Sequence, residues 1–189
     1  MDAETLQGLI ERCGVHEQFG PVGKGWGIEQ NPCELATFLS AIWPIETVLE
    51  VGTGYRAGLS CFLATALKLK VVTIDIVEYP TQTRIPEVRY MVIRDMQGRV
   101  TRPEFWCTFD LVFIDGNHAY ESVKADYGHY SRFGQIVALH DIVGLRACEG
   151  VARFWREISR TKTGKMRRGF HEVIADTDQR SGIGWEVRE

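Results

Sequence analysis

The stretch Val48-Leu49-Glu50-Val51-Gly52-Thr53-Gly54-Tyr55-Arg56-Ala57-Gly58-Leu59-Ser60 reads as a buried strand that runs through a glycine turn into a helix. Glu50 stands two residues before the first glycine, at the mouth of the turn, placed to reach a ligand rather than to pack. Glycines at 52 and 54 let backbone come close to a ligand, and Gly58 lets the next helix pack tightly on the sheet. Outward from this unit, strands and helices alternate. Strands are expected at 47–51, 71–75, 88–93, 109–115 and 135–140, with helices at 58–68 and 120–131. Near-continuous apolar strands of this kind belong to a parallel sheet with helices on both faces, the α/β class. Further on, Val151, Phe154, Trp155 and Ile158 recur at helical core spacing, and 171–175 and 183–187 read as an antiparallel pair of strands. Upstream, a short amphipathic helix at 3–12 leads into the glycine-dense loop Gly20–Gly27. There Asn31, Pro32 and Glu34 supply the cap, the first position and the capping box of a helix buried along Leu35, Phe38, Leu39 and Ile42.

A chain of 189 residues with ordinary apolar and charged fractions suits one compact domain. The division expected is 1–30, a helix and a loop in which Lys24 and Trp26 form a lid, and 31–189, a single ligand-binding domain. Net charge is −3, and the one notable basic run is Lys165-Met166-Arg167-Arg168, so duplex nucleic acid is not indicated as a partner. The five cysteines (13, 33, 61, 107, 148) are scattered and form no C-x-x-C pair, which indicates neither a disulfide framework nor a zinc site. Reduced thiols, an N-terminus without a basic start and apolar run, and no stretch of membrane-spanning length together predict a soluble cytoplasmic protein without a membrane partner, compatible with a homo-oligomer.

The spacing of the glycine turn separates two cofactor classes. A dinucleotide fold uses G-x-G-x-x-G and keeps its acid about 20 residues further on. Here the pattern is G-x-G-x-x-x-G with Glu50 in front, a charge that repels a pyrophosphate and attracts the amino end of S-adenosylmethionine. The sulfonium cofactor is therefore favoured over NAD, with Glu50, Gly52, Thr53, Gly54 and Ser60 as its binding residues in and after the turn.

Ligands of an open α/β sheet sit beyond the carboxyl ends of the strands. This chain puts an acid at five such ends: Glu50, Asp75, Asp95, Asp115 and Asp141. One alone would pass for a cap or turn former; five argue for a site. Asp75 is placed to accept from ribose hydroxyls, and Asp95 from an adenine amino group or as the former of the turn before Met96-Gln97-Gly98. Asp115 and Asp141 end neighbouring strands, which lie about 4.8 Å apart, so their carboxylates suit a shared magnesium or manganese ion. His140 joins that ion only where its strand has already ended, because alternate strand residues face opposite sides. His118, three residues beyond Asp115, is the residue suited to take a proton from a substrate hydroxyl.

The segment Phe109-Asp110-Leu111-Val112-Phe113-Ile114-Asp115-Gly116-Asn117-His118-Ala119-Tyr120 closely resembles class I S-adenosylmethionine-dependent methyltransferases. More narrowly, it is similar to the branch with D-G-x-H-x-Y after strand 4, the macrolide-sugar and rhamnosyl O-methyltransferases and the cephalosporin hydroxylase-like proteins. The likeness runs from about Gln30 to Val187 and takes in Ile136 to Asp141, Arg153-Phe154-Trp155 and Gly182-Ile183-Gly184. It implies a Rossmann-like seven-stranded sheet with an antiparallel last strand. It also implies cofactor contacts from Glu50, Gly52, Gly54 and Asp75, a metal at Asp115 and the end of strand 5, and His118 as base; Asp115 is expected to touch the cofactor as well. The chain departs from the sugar enzymes at His140-Asp141, where they carry two acids. The expected function is O-methylation of a small hydroxylated acceptor, a sugar or secondary metabolite, catalysed by His118 and Asp115 with a cation at Asp115, His140 and Asp141. The rival readings are a non-catalytic cofactor-binding regulatory or assembly protein on the same fold, and a dinucleotide oxidoreductase, which the turn spacing disfavours.

Overall fold

The computed structural model describes residues 1–14, 26–94, 98–143, 148–175 and 181–188. Its strands are β1 (Thr47–Val51), β2 (Lys70–Asp75), β3 (Val88–Val92), β4 (Phe109–Ile114), β5 (Gly134–His140), β6 (Phe170–Val173) and β7 (Ile183–Val187). They form one seven-stranded sheet in the order β3-β2-β1-β4-β5-β7-β6. The first five run parallel, while β7 is antiparallel to both β5 and β6. The helices are α1 (Ala3–Cys13), α2 (Pro32–Ile42), α3 (Gly58–Thr65), α4 (Tyr120–Tyr130) and α5 (Glu149–Ser159).

Successive side chains of a strand point to opposite faces, and the two faces feed two cores. Val48, Leu111, Phe113 and Ala138 pack with Leu35, Phe38 and Phe62 beneath α1, α2 and α3. Leu49, Val51, Val112, Ile114, Val137 and Leu139 pack with Val123, Phe154 and Trp155 beneath α4 and α5. This two-sided burial is why the strands read as unbroken apolar runs. Leu6 and Ile10 of α1 are fully buried in the first core, so the N-terminal helix is an integral part of the packing.

Three local expectations change. Asn31 caps α2 as read, accepting from the backbone N–H groups of Cys33 and Glu34. The carboxylate of Glu34, however, is buried and accepts from the N–H of Ala175, the hydroxyl of Ser181 and the N–H of Gly182. It ties α2 to the chain on both sides of the β6–β7 connection, and β6 ends at Val173 rather than at 175. The helix after the glycine turn stops at Thr65 instead of 68, and Lys68 turns the chain back at φ +61°.

Candidate active site

Strand order reverses at β1, which pairs with β2 on one side and β4 on the other, and a crevice opens at that switch point. A cavity of about 580 Å³ lies there, within the usual range for a small-molecule site. Glu50, Gly52, Thr53, Gly54, Asp75, Asp115, His118, His140 and Asp141 all line it. Asp95 and residues 20–25 of the expected lid lie outside the described residues. At the lid's end, Trp26 packs against the first core and its backbone N–H is bonded to the Cys13 carbonyl, so that indole is anchored.

On the β1–β2 side the polar groups close on one another. Register sets Thr73 directly opposite Glu50. The buried Glu50 carboxylate accepts from the hydroxyls of Thr73, at 2.5 Å, and of Ser60. Burial pushes its pKa up to about 8 against those two hydrogen bonds, with the charges of Asp115 and Asp75 adding to the rise. Asp75 folds its carboxylate back onto the turn, accepting from the N–H of Gly54 at 3.1 Å and of Val77 at 3.2 Å.

The glycines of the turn are also tightly packed, and Gly58 against a different partner than expected. Gly52, at φ +103°, is pressed against the end of β4: a Cβ there would meet the Asp115 carbonyl at 2.1 Å. Gly58 makes its close approach to the Gly27–Ile28 backbone, at 2.8 Å, rather than to the sheet. Both positions require glycine to seat chain against chain, and both also line the cavity.

On the β4–β5 side, acids and imidazoles interleave. His118 Nε2 lies 3.3 Å from Asp141 Oδ2 and 3.8 Å from Asp115 Oδ1. His140 Nδ1 lies 3.2 Å from Asp115 Oδ2 and 3.6 Å from Asp141 Oδ1. β5 ends at His140, and Asp141 takes a left-handed φ of +61°, so consecutive residues reach one place. The condition for His140 and Asp141 to share an ion is thus met. Asp115, His140 and Asp141 each offer a ligand atom within 4.8 Å of the others.

Burial works against charge on Asp115, yet the facing His140 and His118 rings overcome it and hold the carboxyl below its usual range. Contact with Asp115 raises the pKa of His118 against its partial burial, and Asp141 adds to the rise. Burial lowers His140, but Asp115 and Asp141 outweigh it and bring the ring to about 9. Although His140 is within ion-pair distance of both carboxylates, neither of its buried ring nitrogens is aligned for a hydrogen bond.

Three neighbours were not singled out from sequence. Gln30 donates to Asp115 Oδ2 at 2.6 Å from the loop before α2. Thr73 was visible only as a strand residue facing Glu50 once register was known. Cys148, at the cap of α5, places Sγ 3.3 Å from His118 Nδ1 and donates to Asp141 Oδ2 at 3.4 Å. Burial, with Asp141 beside it, pushes that thiol up to about 12. Its position between a strand end and the next helix, on the same rim as Asp141, is the signal that could have found it. Tyr127 and Tyr130 of α4 pack into the second core, and Tyr120 meets Phe154 edge-on.

Among solved structures, the N-terminal domain of human METTL16 is similar, with 8% identity, coverage of 85% of this chain and 71% of that one, and a TM-score of 0.54. The likeness is one of fold, a Rossmann-like sheet of seven strands with helices on both faces. A methyltransferase from Pyrococcus furiosus is 16% identical, over 82% of this chain and 81% of that one, with a TM-score of 0.47. An amino pentose methyltransferase from Micromonospora echinaspora, solved with S-adenosylmethionine bound, is 21% identical over 54% of this chain and 45% of its own, with a TM-score of 0.40. No protein-family model matches the chain, and no curated protein does.

Proposed function

We infer that the protein is an S-adenosylmethionine-dependent methyltransferase that methylates a hydroxyl of a small acceptor of the sugar or secondary-metabolite class. The observation that carries this reading is one cavity joining two chemistries: the Glu50–Asp75 glycine turn on one side, and His118 between Asp115 and Asp141 on the other. Bound there, the cofactor would supply the sulfonium methyl. Glu50 would face its amino group and Asp75 its ribose, with the 52–54 backbone alongside.

Methyl transfer is an in-line displacement, so the protein must align the acceptor oxygen and accept its proton. His118 is suited to the second task. Its proton affinity is raised by the two carboxylates beside it, and these stabilise the imidazolium once the proton arrives. Asp115, His140 and Asp141 fit a divalent cation, because they converge within ligand distance and His140 has no hydrogen bond to give up. A cation held there would lower the pKa of the acceptor hydroxyl.

The test is transfer of a radiolabelled methyl group from S-adenosylmethionine to a panel of hydroxylated sugars, phenols, amines and thiols, with and without magnesium or manganese. Methyl ethers are the expected products. Label confined to nitrogen or sulfur acceptors would contradict the hydroxyl assignment.

A further inference from the structure

We propose that Cys148, together with the cavity-lining His118 and Asp141, binds a thiophilic divalent cation of the zinc class. The proposal shares its cavity with the functional reading above but depends on different chemistry. The three donors come from three segments: the loop after β4, the end of β5 and the cap of α5. Cys148 Sγ is 3.3 Å from one nitrogen of the His118 ring and 3.4 Å from Asp141 Oδ2, and the ring's other nitrogen is 3.3 Å from that same oxygen. One ligand atom from each residue lies within 4.8 Å of the others. Tetrahedral zinc, with bonds of about 2.0–2.3 Å, sets its ligand atoms about 3.3–3.6 Å apart; the thiol and the carboxylate meet that spacing with each other, and because they face different nitrogens of His118 the ring must shift for one nitrogen to complete the set.

Donor type decides which ion fits. Magnesium takes oxygen ligands and keeps several waters, whereas imidazole with thiolate selects zinc and its neighbours. A second observation points to the same place. His140 is 6% exposed, lines the cavity beside Asp141 and has both ring nitrogens without a hydrogen bond. Buried polar atoms are rarely left so, and His140 holds Asp141 only by an ion-pair contact at 3.6 Å, which leaves that carboxylate's Oδ2 to face Cys148 and His118. The backbone is built to bring the thiol in. A Cβ at Gly150 would strike the His118 carbonyl and the Tyr120 nitrogen at 2.3 Å, so only glycine there lets the first turn of α5 seat Cys148 against His118.

A cation at these three residues occupies the His118 lone pair. Zinc is therefore expected to oppose the transfer proposed above, whereas a harder ion on Asp115, His140 and Asp141 leaves His118 available.

The full chain, stripped of metal and kept reduced, is titrated with cobalt(II) as the spectroscopic probe. One equivalent is expected to bring up the near-ultraviolet thiolate-to-cobalt band and the visible bands of four-coordination. Both should be lost in Cys148→Ser, retained in Cys107→Ser, and abolished by zinc but not by magnesium. Asp141→Asn, with its fold checked by circular dichroism, is expected to weaken binding at least tenfold. Cobalt binding without a thiolate band, or a band that survives in Cys148→Ser, overturns the proposal. Neither result bears on S-adenosylmethionine binding, whose own titration decides the functional reading separately.

Discussion

The two halves of the cavity differ in how their charges are settled. Around β1 and β2, Glu50 is held by two hydroxyls and Asp75 by two backbone N–H groups, all supplied by the fold. Around β4 and β5, two acids face two imidazoles and a thiol, and His140 has no hydrogen bond at either nitrogen. The first half is organised before any ligand arrives. The second gathers more titratable groups than packing needs, and the proposed catalytic role rests on that surplus.

This contrast can be broken most sharply at His118. His118→Ala should reduce methyl transfer by about 10²- to 10⁴-fold and leave S-adenosylmethionine affinity within about twofold. Near-normal turnover would move the base elsewhere. The next largest effect is on stability. Removing the buried His140 ring leaves Asp115 and Asp141 facing each other without it, and loss of one partner from a buried charge cluster costs about 3 kcal/mol or more. His140→Leu should therefore lower the midpoint of thermal unfolding by several degrees, and an unchanged midpoint would show that the ring is not an ionic partner.

A third effect belongs to the pre-organised half and is read through pH. Glu50 is raised from its ordinary 4.5 to about 8 by burial. Below the lower value both folded and unfolded chains hold the proton. Between the two values the unfolded chain ionises while the folded one does not, so the stability contribution of Glu50 falls as pH rises and levels off above about 8. The stability of the wild type relative to Glu50→Gln should decline over that window in denaturant titrations. A flat difference would mean that Glu50 is ionised when buried.

The architecture was legible because it rests on local signals. Strand positions followed from apolar runs, α2 from Asn31 and Pro32, and the antiparallel pair from its own turn. Glu50, Asp75, Asp115 and Asp141 were legible for the same reason: each stands at or beside the carboxyl end of its strand, and those ends share a face of the fold. What the sequence hid was long-range. Cys148 has no metal-like spacing and gains its neighbours only when Gly150 lets α5 close on the loop after β4. The second role of Glu34 needed Ser181 and Gly182, which are far away in the chain. Gly52 and Gly58 were correctly marked as tight, but whether chain or ligand fills the space beside them is a question only topology answers.

The central claim is that the pre-organised half is an S-adenosylmethionine site. Calorimetric titration of the purified chain with S-adenosylmethionine in magnesium buffer tests it directly, beside Glu50→Gln and Asp75→Ala. The account predicts saturable binding at one site per chain, weakened about tenfold or more in each variant, since losing a single charge-assisted contact is worth about 1.4 kcal/mol or more. No detectable heat with the wild type, or equal affinity in all three proteins, would contradict it.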